Sequence, residues 1–501
     1  MRIVIRADAS LDIGSGHIMR CLVLADAFKR KGHHVSFACQ SLPGDLNTYI
    51  AKRGYTVTVL KSTPKTQLNE ELPEGYLFWL QRTELEDAND FLKCVSQVDA
   101  VVTDHYAIGK EWHNIVKGAF DCKVIAIDDL VRDHNADIII DQTLGRVPSE
   151  YTSSSTVLAG SEFALLAPMF AKKREHAFDI AALNAPIKVL VSMGGVDKPN
   201  ATMQTLQTLI NEDNIRITVL LNPLAPHYEE VTEWIALHEN VVHQDFTENM
   251  ADLMLQHDIA IGAPGTTSWE RACLGIPSVL IPLAHNQKTN CEKLIQQRAI
   301  EVVSLDRIKS ELIPAINTLT REWHKYRDAN LVICDGLGTN RVVEAIERLL
   351  FSDDSLPVAI RLANESDIKT VFEWQCHPET RKYALNPETP SWEQHQNWMR
   401  KKLTHIADFF YVITWSKKQD PVGVVRLDRV SAGNYLISIF IDPKQHGKGI
   451  ALKALSLIDD IHQNINIHAT VLKDNQASQC LFTKAGYERI SKEKFIRKEL
   501  D

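Results

Sequence analysis

The sequence has no apolar run approaching the roughly 20 residues that a membrane-spanning helix needs, and no basic segment with an apolar stretch precedes its first strand-like residues. A cytoplasmic location without a membrane partner is expected. There is no CxxC pair. The nine cysteines (Cys21, Cys39, Cys94, Cys122, Cys273, Cys291, Cys334, Cys376, Cys480) are scattered and odd in number, which suggests neither a disulfide framework nor a zinc cluster. Nineteen histidines include no HExxH and no convincing ligand spacing, so no catalytic metal is expected. Basic excess is missing too: a formal net charge of −9 argues against nucleic acid as the main partner. Repeats and low-complexity tracts are absent.

What the chain does have is length, at 501 residues enough for about three domains. Its organising stretch is Asp8-Ala9-Ser10-Leu11-Asp12-Ile13-Gly14-Ser15-Gly16-His17-Ile18-Met19-Arg20, directly after Ile3-Val4-Ile5. A strand, a two-glycine turn and a helix opening at a histidine place backbone N–H groups and an imidazole beside an anionic ligand. Apolar positions 18, 21, 22, 25 and 28 recur at helical spacing, and Gly32 stops the helix. The turn reads Gly-x-Gly-His, not the dinucleotide Gly-x-Gly-x-x-Gly, so a nicotinamide cofactor is not indicated. A helix N-terminus favours neutral imidazole, the form a general base requires. The plainer role for His17 is a bond to a nearby carbonyl.

Strand-like runs at 2–6, 34–38, 55–60, 100–103, 124–127 and 137–140 alternate with helical stretches, the pattern of a parallel doubly wound sheet. Asp8, Asp104-His105-Tyr106 and Asp128-Asp129 stand just past strand ends, where they either cap turns or line one crevice with His17. A second doubly wound unit follows Asn184-Ala185-Pro186, with strands at 188–193, 217–221, 241–242, 259–261 and 278–281. Helices near 307–328 and 338–350 are expected to complete it. The domain expectation is 1–184, 185–351, a linker at 352–357 and a third domain at 358–501.

In the second unit, Gly194-Gly195 after a strand suits close approach of a pyrophosphate, or merely a tight turn. Ile261-Gly262-Ala263-Pro264-Gly265-Thr266-Thr267-Ser268-Trp269-Glu270 opens a helix whose first turns carry a carboxylate suited to a ribose diol, and Asn286-Gln287 follow the next strand. Residues 245–298 resemble the nucleotide-sugar half of GT-B glycosyltransferases, particularly the MurG-like group. With Arg6-Ala7-Asp8, the His17 turn, Asp104-His105-Tyr106, Ser192-Met193-Gly194-Gly195 and His285-Asn286-Gln287, residues 1–350 are more similar still to the PseG family. Members hydrolyse UDP-2,4-diacetamido-2,4,6-trideoxy-β-L-altropyranose in pseudaminic acid biosynthesis. The resemblance implies His17 as the base that activates water, with Asp8, Gly14, Gly16, Tyr106, Gly194, Gly195, Ser268, Glu270, Asn286 and Gln287 holding the UDP-sugar, and no metal.

Beyond the linker, Phe440-Ile441-Asp442-Pro443-Lys444-Gln445-His446-Gly447-Lys448-Gly449-Ile450-Ala451 reads as a strand, a glycine loop and a helix. With Asn475 and Leu481-Phe482-Thr483-Lys484-Ala485-Gly486-Tyr487, residues 357–501 resemble the GNAT acetyltransferases. His446 stands where that family carries Arg or Gln. By this resemblance His446, Gly447, Lys448, Gly449, Ile450, Ala451 and Asn475 bind acetyl-CoA, and Tyr487 is a candidate general acid or else a core aromatic. The fold class is thus α/β, a GT-B-like pair of doubly wound domains followed by a GNAT α+β domain. The expected function is bifunctional: N-acetylation of a UDP-4-amino-sugar by acetyl-CoA, then hydrolysis to UDP and free sugar. A UDP-sugar glycosyltransferase with an acetylating or acetyl-CoA-sensing tail is the alternative. The sequence leaves the oligomeric state open.

Overall fold

Ile3 to Ala7 are buried without alternation, as a strand covered by helices on both faces must be. They belong to β1 (Arg2–Ala7), an interior strand of a sheet with β2 (His34–Gln40), β3 (Thr56–Leu60), β4 (Ala100–Asp104), β5 (Lys123–Ile127), β6 (Ile138–Asp141) and β7 (Thr156–Ala159). All pairs are parallel, in the order β3-β2-β1-β4-β5-β6-β7. The computed structural model describes residues 1–61, 76–180, 182–183, 185–283, 287–351, 358–416 and 420–500. Helix Gly16–Arg30 buries Ile18, Cys21, Leu22, Ala25 and Phe28 against β1, the face its spacing predicts. A second parallel sheet comprises β8 (Ile187–Ser192), β9 (Ile215–Leu220), β10 (Val241–Gln244), β11 (Ile259–Gly262), β12 (Ser278–Leu280) and β13 (Ile300–Val302), in the order β10-β9-β8-β11-β12-β13. Strands β7 and β13, four and three residues long at the sheet edges, were not among the predicted runs.

Both sheets form one unit, Met1–Leu350, and their halves exchange helices. Helix Gly338–Phe351, which sequence order assigns to the second half, buries Val342, Val343, Ala345 and Ile346 in the first core, beside Ile3 and Ile5. Conversely, Pro168–Ala177 precedes the second half in sequence but sends Phe170 into its core. Arg174 of that helix donates to the carbonyls of Cys273, Leu331 and Cys334. Contiguous boundaries at 184 and 351 therefore do not separate the two cores. The two crossing segments are stitched together: Thr339 donates to Leu166 O at 2.8 Å and Ser161 to Ile333 O at 2.6 Å. A Cβ on Gly338 would lie 2.3 Å from Ala164 O, so this crossing admits no side chain. The expected helix at 307–328 is two, Ile308–Arg321 and Trp323–Ile333.

The second unit spans Phe351–Asp501; the expected linker at 352–357 lies outside the described residues. Its sheet runs β14 (Val358–Leu362), β15 (Phe409–Trp415), β16 (Pro421–Ser431), β17 (Asn434–Ile441), β18 (Asn466–Thr470), β20 (Lys494–Arg497) and β19 (Glu488–Arg489). Every pair is antiparallel except β17 with β18. Period-two alternation splits β15 between two cores. Phe410 and Val412 pack under helices Ile368–Gln375 and Trp392–Leu403, while Tyr411 and Ile413 face Ile450–Ile461. Among the described residues no helix is long and apolar enough to cross a membrane.

Candidate active site

In the first sheet the strand order reverses between β1 and β4, and an open parallel sheet has its ligand crevice outside the carboxyl ends at such a point. His17 arrives from the helix after β1, and Asp104 ends β4 in register with Ala7. The imidazole Nδ1 lies 2.5 Å from Asp104 Oδ1 and the ring is 8% exposed. Arg20, one helical turn after His17 and so on the same face, clamps Asp104 with two donors at 2.6 Å. Burial alone would raise the Asp104 carboxyl; the guanidinium of Arg20 and the imidazole outweigh it and hold the group well below the usual range. Because a carboxylate only accepts, Nδ1 carries the proton and Nε2 is left as the basic nitrogen. A 3.3 Å approach of Arg20 to Nδ1 is the longer contact. Asp104 as the orienting partner of His17 is a role that strand-end position alone did not reveal.

His17, Gly14, Gly16, Tyr106, Gly194, Gly195, Glu270 and Gln287 all line a cleft of about 1100 Å³ between the two halves of this unit. The second half again contributes at its own reversal point: Gly194-Gly195 follow β8, and Ala263 to Thr267 follow β11. Helices Gly16–Arg30 and Thr266–Cys273 both begin at the cleft, each with N–H groups that no turn of its own can satisfy. A Cβ on Gly195 would lie 2.8 Å from Ser15 Oγ, so glycine here lets the halves close on each other. Glu270 is pushed up to about 7 by burial, against the pull of Arg271, and its Oε2 has no partner. Arg271, lowered to about 10 by burial, sits behind the loop with a bond to Ala263 O at 3.1 Å.

Two expected contacts are corrected. Asp8 does not line the cleft: wholly buried, it accepts from the Gln40 N–H at 2.7 Å and pairs with Arg6 at 2.7 Å. It braces the sheet edge, together with His105, which burial lowers to about 4 and keeps neutral. Ser268 likewise turns inward, accepting from the Gly265 N–H and from Arg271, each at 3.3 Å, and is not in the cleft wall. A hydroxyl three residues into a helix reaches back to its cap more readily than outward. Gln287 lines the cleft while accepting from the Leu283 N–H at 2.8 Å. Asn286 lies outside the described residues.

In the other unit, β17 pairs with β18 only from Asn434 to Ile437, so Ser438–Ile441 lack a β18 partner and the strands part. The slot leads to the glycine loop. Gly447 and Gly449 both have φ near +78°, a conformation that points successive N–H groups the same way without a Cβ penalty. Gly449 caps helix Ile450–Ile461, adding the open N–H groups of Ile450 and Ala451. The Ile450 side chain is buried in the core and contributes backbone only. His446 donates through Nε2 to Ile441 O at 3.1 Å, and Lys448 to Gln445 at 2.6 Å, so both brace the loop. Asn475 uses its carbonyl to cap helix Gln476–Lys484 at Ser478 N, 3.1 Å. Of the two readings of Tyr487 the geometry fits the core aromatic: 4% exposed, it packs on Phe482 and donates to Asp459 at 3.3 Å, and Asp459 is also held by Arg497 at 2.9 Å. Burial pushes its phenol up, and its proton is already committed to Asp459. Among the described residues no group of side chains has the makings of a metal site.

A GT-B-like pair of parallel sheets followed by a GNAT-type unit is the class of fold these elements make, and the comparisons support a nucleotide-sugar enzyme with an acetyltransferase domain. Sequence comparison agrees: residues 188–346 match the glycosyltransferase family 28 C-terminal domain and residues 358–488 match the GNAT acetyltransferase domain. An uncharacterized protein of Methanocaldococcus jannaschii is 23% identical over 520 residues, covering 98% of each chain. The UDP-2,4-diacetamido-2,4,6-trideoxy-β-L-altropyranose hydrolase of Campylobacter jejuni is 26% identical over 262 residues, 51% of this chain and 81% of that protein. Spore coat polysaccharide biosynthesis protein SpsG of Bacillus subtilis is 23% identical over 365 residues, 70% of this chain and 98% of its own.

Proposed function

We propose that the first unit hydrolyses a UDP-linked diacetamido-trideoxy sugar to UDP and free sugar, and that the second unit N-acetylates the preceding UDP-4-amino-sugar with acetyl-CoA. The observation that carries the hydrolase reading is the His17–Asp104 pair, its Nε2 free at a cleft where two helix N-termini and Gly194-Gly195 await a diphosphate. Glu270 offers its unpartnered oxygen to a ribose diol. Water held at Nε2 attacks the anomeric carbon, its proton passes to the imidazole, and the C–O bond breaks with its electron pair leaving on UDP. Asp104 stabilises the imidazolium so formed, and N–H groups take up charge on the leaving diphosphate. Likeness to the hydrolase of C. jejuni supports this reading of the substrate.

In the second unit, the N–H groups of Gly447 to Ala451 cradle the pyrophosphate of acetyl-CoA, and the free edge of Ser438–Ile441 pairs with the amides of its extended arm. The match to a glycosyltransferase domain favours one rival reading, transfer of the sugar to a saccharide or lipid acceptor. Incubating the protein with the UDP-4-amino-sugar, with and without acetyl-CoA, while following UDP, CoA and the anomeric proton by NMR separates the two. CoA release followed by UDP release, the second step lost in His17→Ala, is the expected result; UDP that stays on the sugar until an acceptor is added would assign the transferase.

A further inference from the structure

One carboxylate of the cleft is not used by this chemistry. Asp129 follows β5, its side chain is 20% exposed, and it lines the cleft beside His17. Oδ2 accepts from the Tyr106 hydroxyl at 2.9 Å, with Arg20 at 3.8 Å, whereas Oδ1 has no partner. An acceptor shut off from water and left unmatched is costly, and ligand donors are the usual remedy in a binding site. Next to it stands an apolar surface. The Trp79 indole is stacked on Tyr106 with centroids 5.4 Å apart and planes at 24°, and His17 meets Tyr106 edge-on at 4.8 Å. Trp79 also lines the cleft. A carboxylate oxygen wanting a donor, set beside a stacked indole and phenol, is complementary to a group that carries an N–H and a methyl two bonds apart across a carbonyl. A hydroxyl supplies the donor without the methyl.

We infer that Asp129, Trp79 and Tyr106 form the pocket for an N-acetyl group of the sugar, with the amide N–H on Asp129 Oδ1 and the methyl on the Trp79–Tyr106 stack. This deepens the hydrolase reading and rests on the cleft holding a UDP-amino-sugar. It makes Asp129 and Trp79 specificity-determining residues within reach of the base. The front unit would then read directly whether its substrate has been acetylated, whatever the route by which that substrate arrives.

The test uses the full chain and UDP-2,4-diacetamido-2,4,6-trideoxy-β-L-altropyranose. Asp129→Ala should lower kcat/KM by about 10- to 100-fold, the usual range for losing a hydrogen bond to a charged group, and Trp79→Ala should raise KM by about tenfold. Affinity for UDP alone, measured by calorimetry, should stay within twofold in both variants, because the nucleotide lies against the second half. In the complex with His17→Ala, which holds the substrate without turnover, NOEs should connect an acetamido methyl to the Trp79 indole. Turnover by Asp129→Ala within twofold of wild type, or acetamido methyls without an NOE to Trp79, would overturn the pocket. A wild-type protein that shows those NOEs but leaves the sugar intact would disprove hydrolysis and still support the pocket.

Discussion

The imidazole of His17 is held at one nitrogen by a carboxylate that is itself pinned by Arg20, and the proposed hydrolysis uses the other nitrogen. Asp104→Asn keeps the shape of that contact but offers an amide that cannot stabilise an imidazolium as the carboxylate does. UDP release should fall by about 10²- to 10⁴-fold, with UDP affinity unchanged by calorimetry. Glu270 adds a pH dependence whose sign follows from its environment. Burial raises it from 4.5 to about 7, so ionising it costs the empty fold stability, and that loss grows as pH rises from 4.5 through 7. Glu270→Gln removes the term: the wild-type melting temperature should decline relative to the variant between pH 5 and pH 8, while the variant binds UDP about tenfold more weakly. The place of His17 and Glu270 on the cleft wall is legible because glycine turns at strand ends announce it. Asp8 and Ser268 show the limit. A polar residue beside a glycine turn serves equally to brace the turn, and only the direction of its side chain, which no spacing encodes, distinguishes the two.

Among the elements, helix Gly338–Phe351 holds the lesson. Its periodicity marks it as an amphipathic helix, yet nothing local says which core its apolar face will meet. Neighbours in sequence are usually neighbours in space, and here that expectation fails because Val342, Val343, Ala345 and Ile346 join helix Gly16–Arg30 in covering one face of the first sheet. The His33–Glu347 contact at 3.0 Å fixes the same docking from the polar side. Ile346→Ala should cost about 2–5 kcal/mol of stability, seen as a lower midpoint in denaturant for the front unit, although the position lies in the sequence next to the other one. The long, strongly periodic helices and buried central strands were legible; β7, β13 and the terminal strands β19 and β20, of two to four residues at or near sheet edges, were not.

At the scale of the whole molecule, the two proposed chemistries sit in separate units of one chain and should fail separately. Gly449→Val forces a β-branched residue to φ near +78° at the head of helix Ile450–Ile461, a strain of about 1–3 kcal/mol in the loop. CoA release should fall at least tenfold while hydrolysis of a preformed diacetamido substrate is unchanged; His17→Ala should give the opposite pattern in the same paired assay. The exchanged helices of the front unit carry a mechanical consequence. The chain passes between its halves twice, once before Pro168–Ala177 and once before Gly338–Phe351, and the two passages are bonded side by side at Ser161, Leu166, Ile333 and Thr339. Two adjacent attachments leave a pair of rigid bodies one easy motion, rotation about the line that joins them. Any opening of the cleft that His17 and Gly194-Gly195 line must turn about that line or break those bonds.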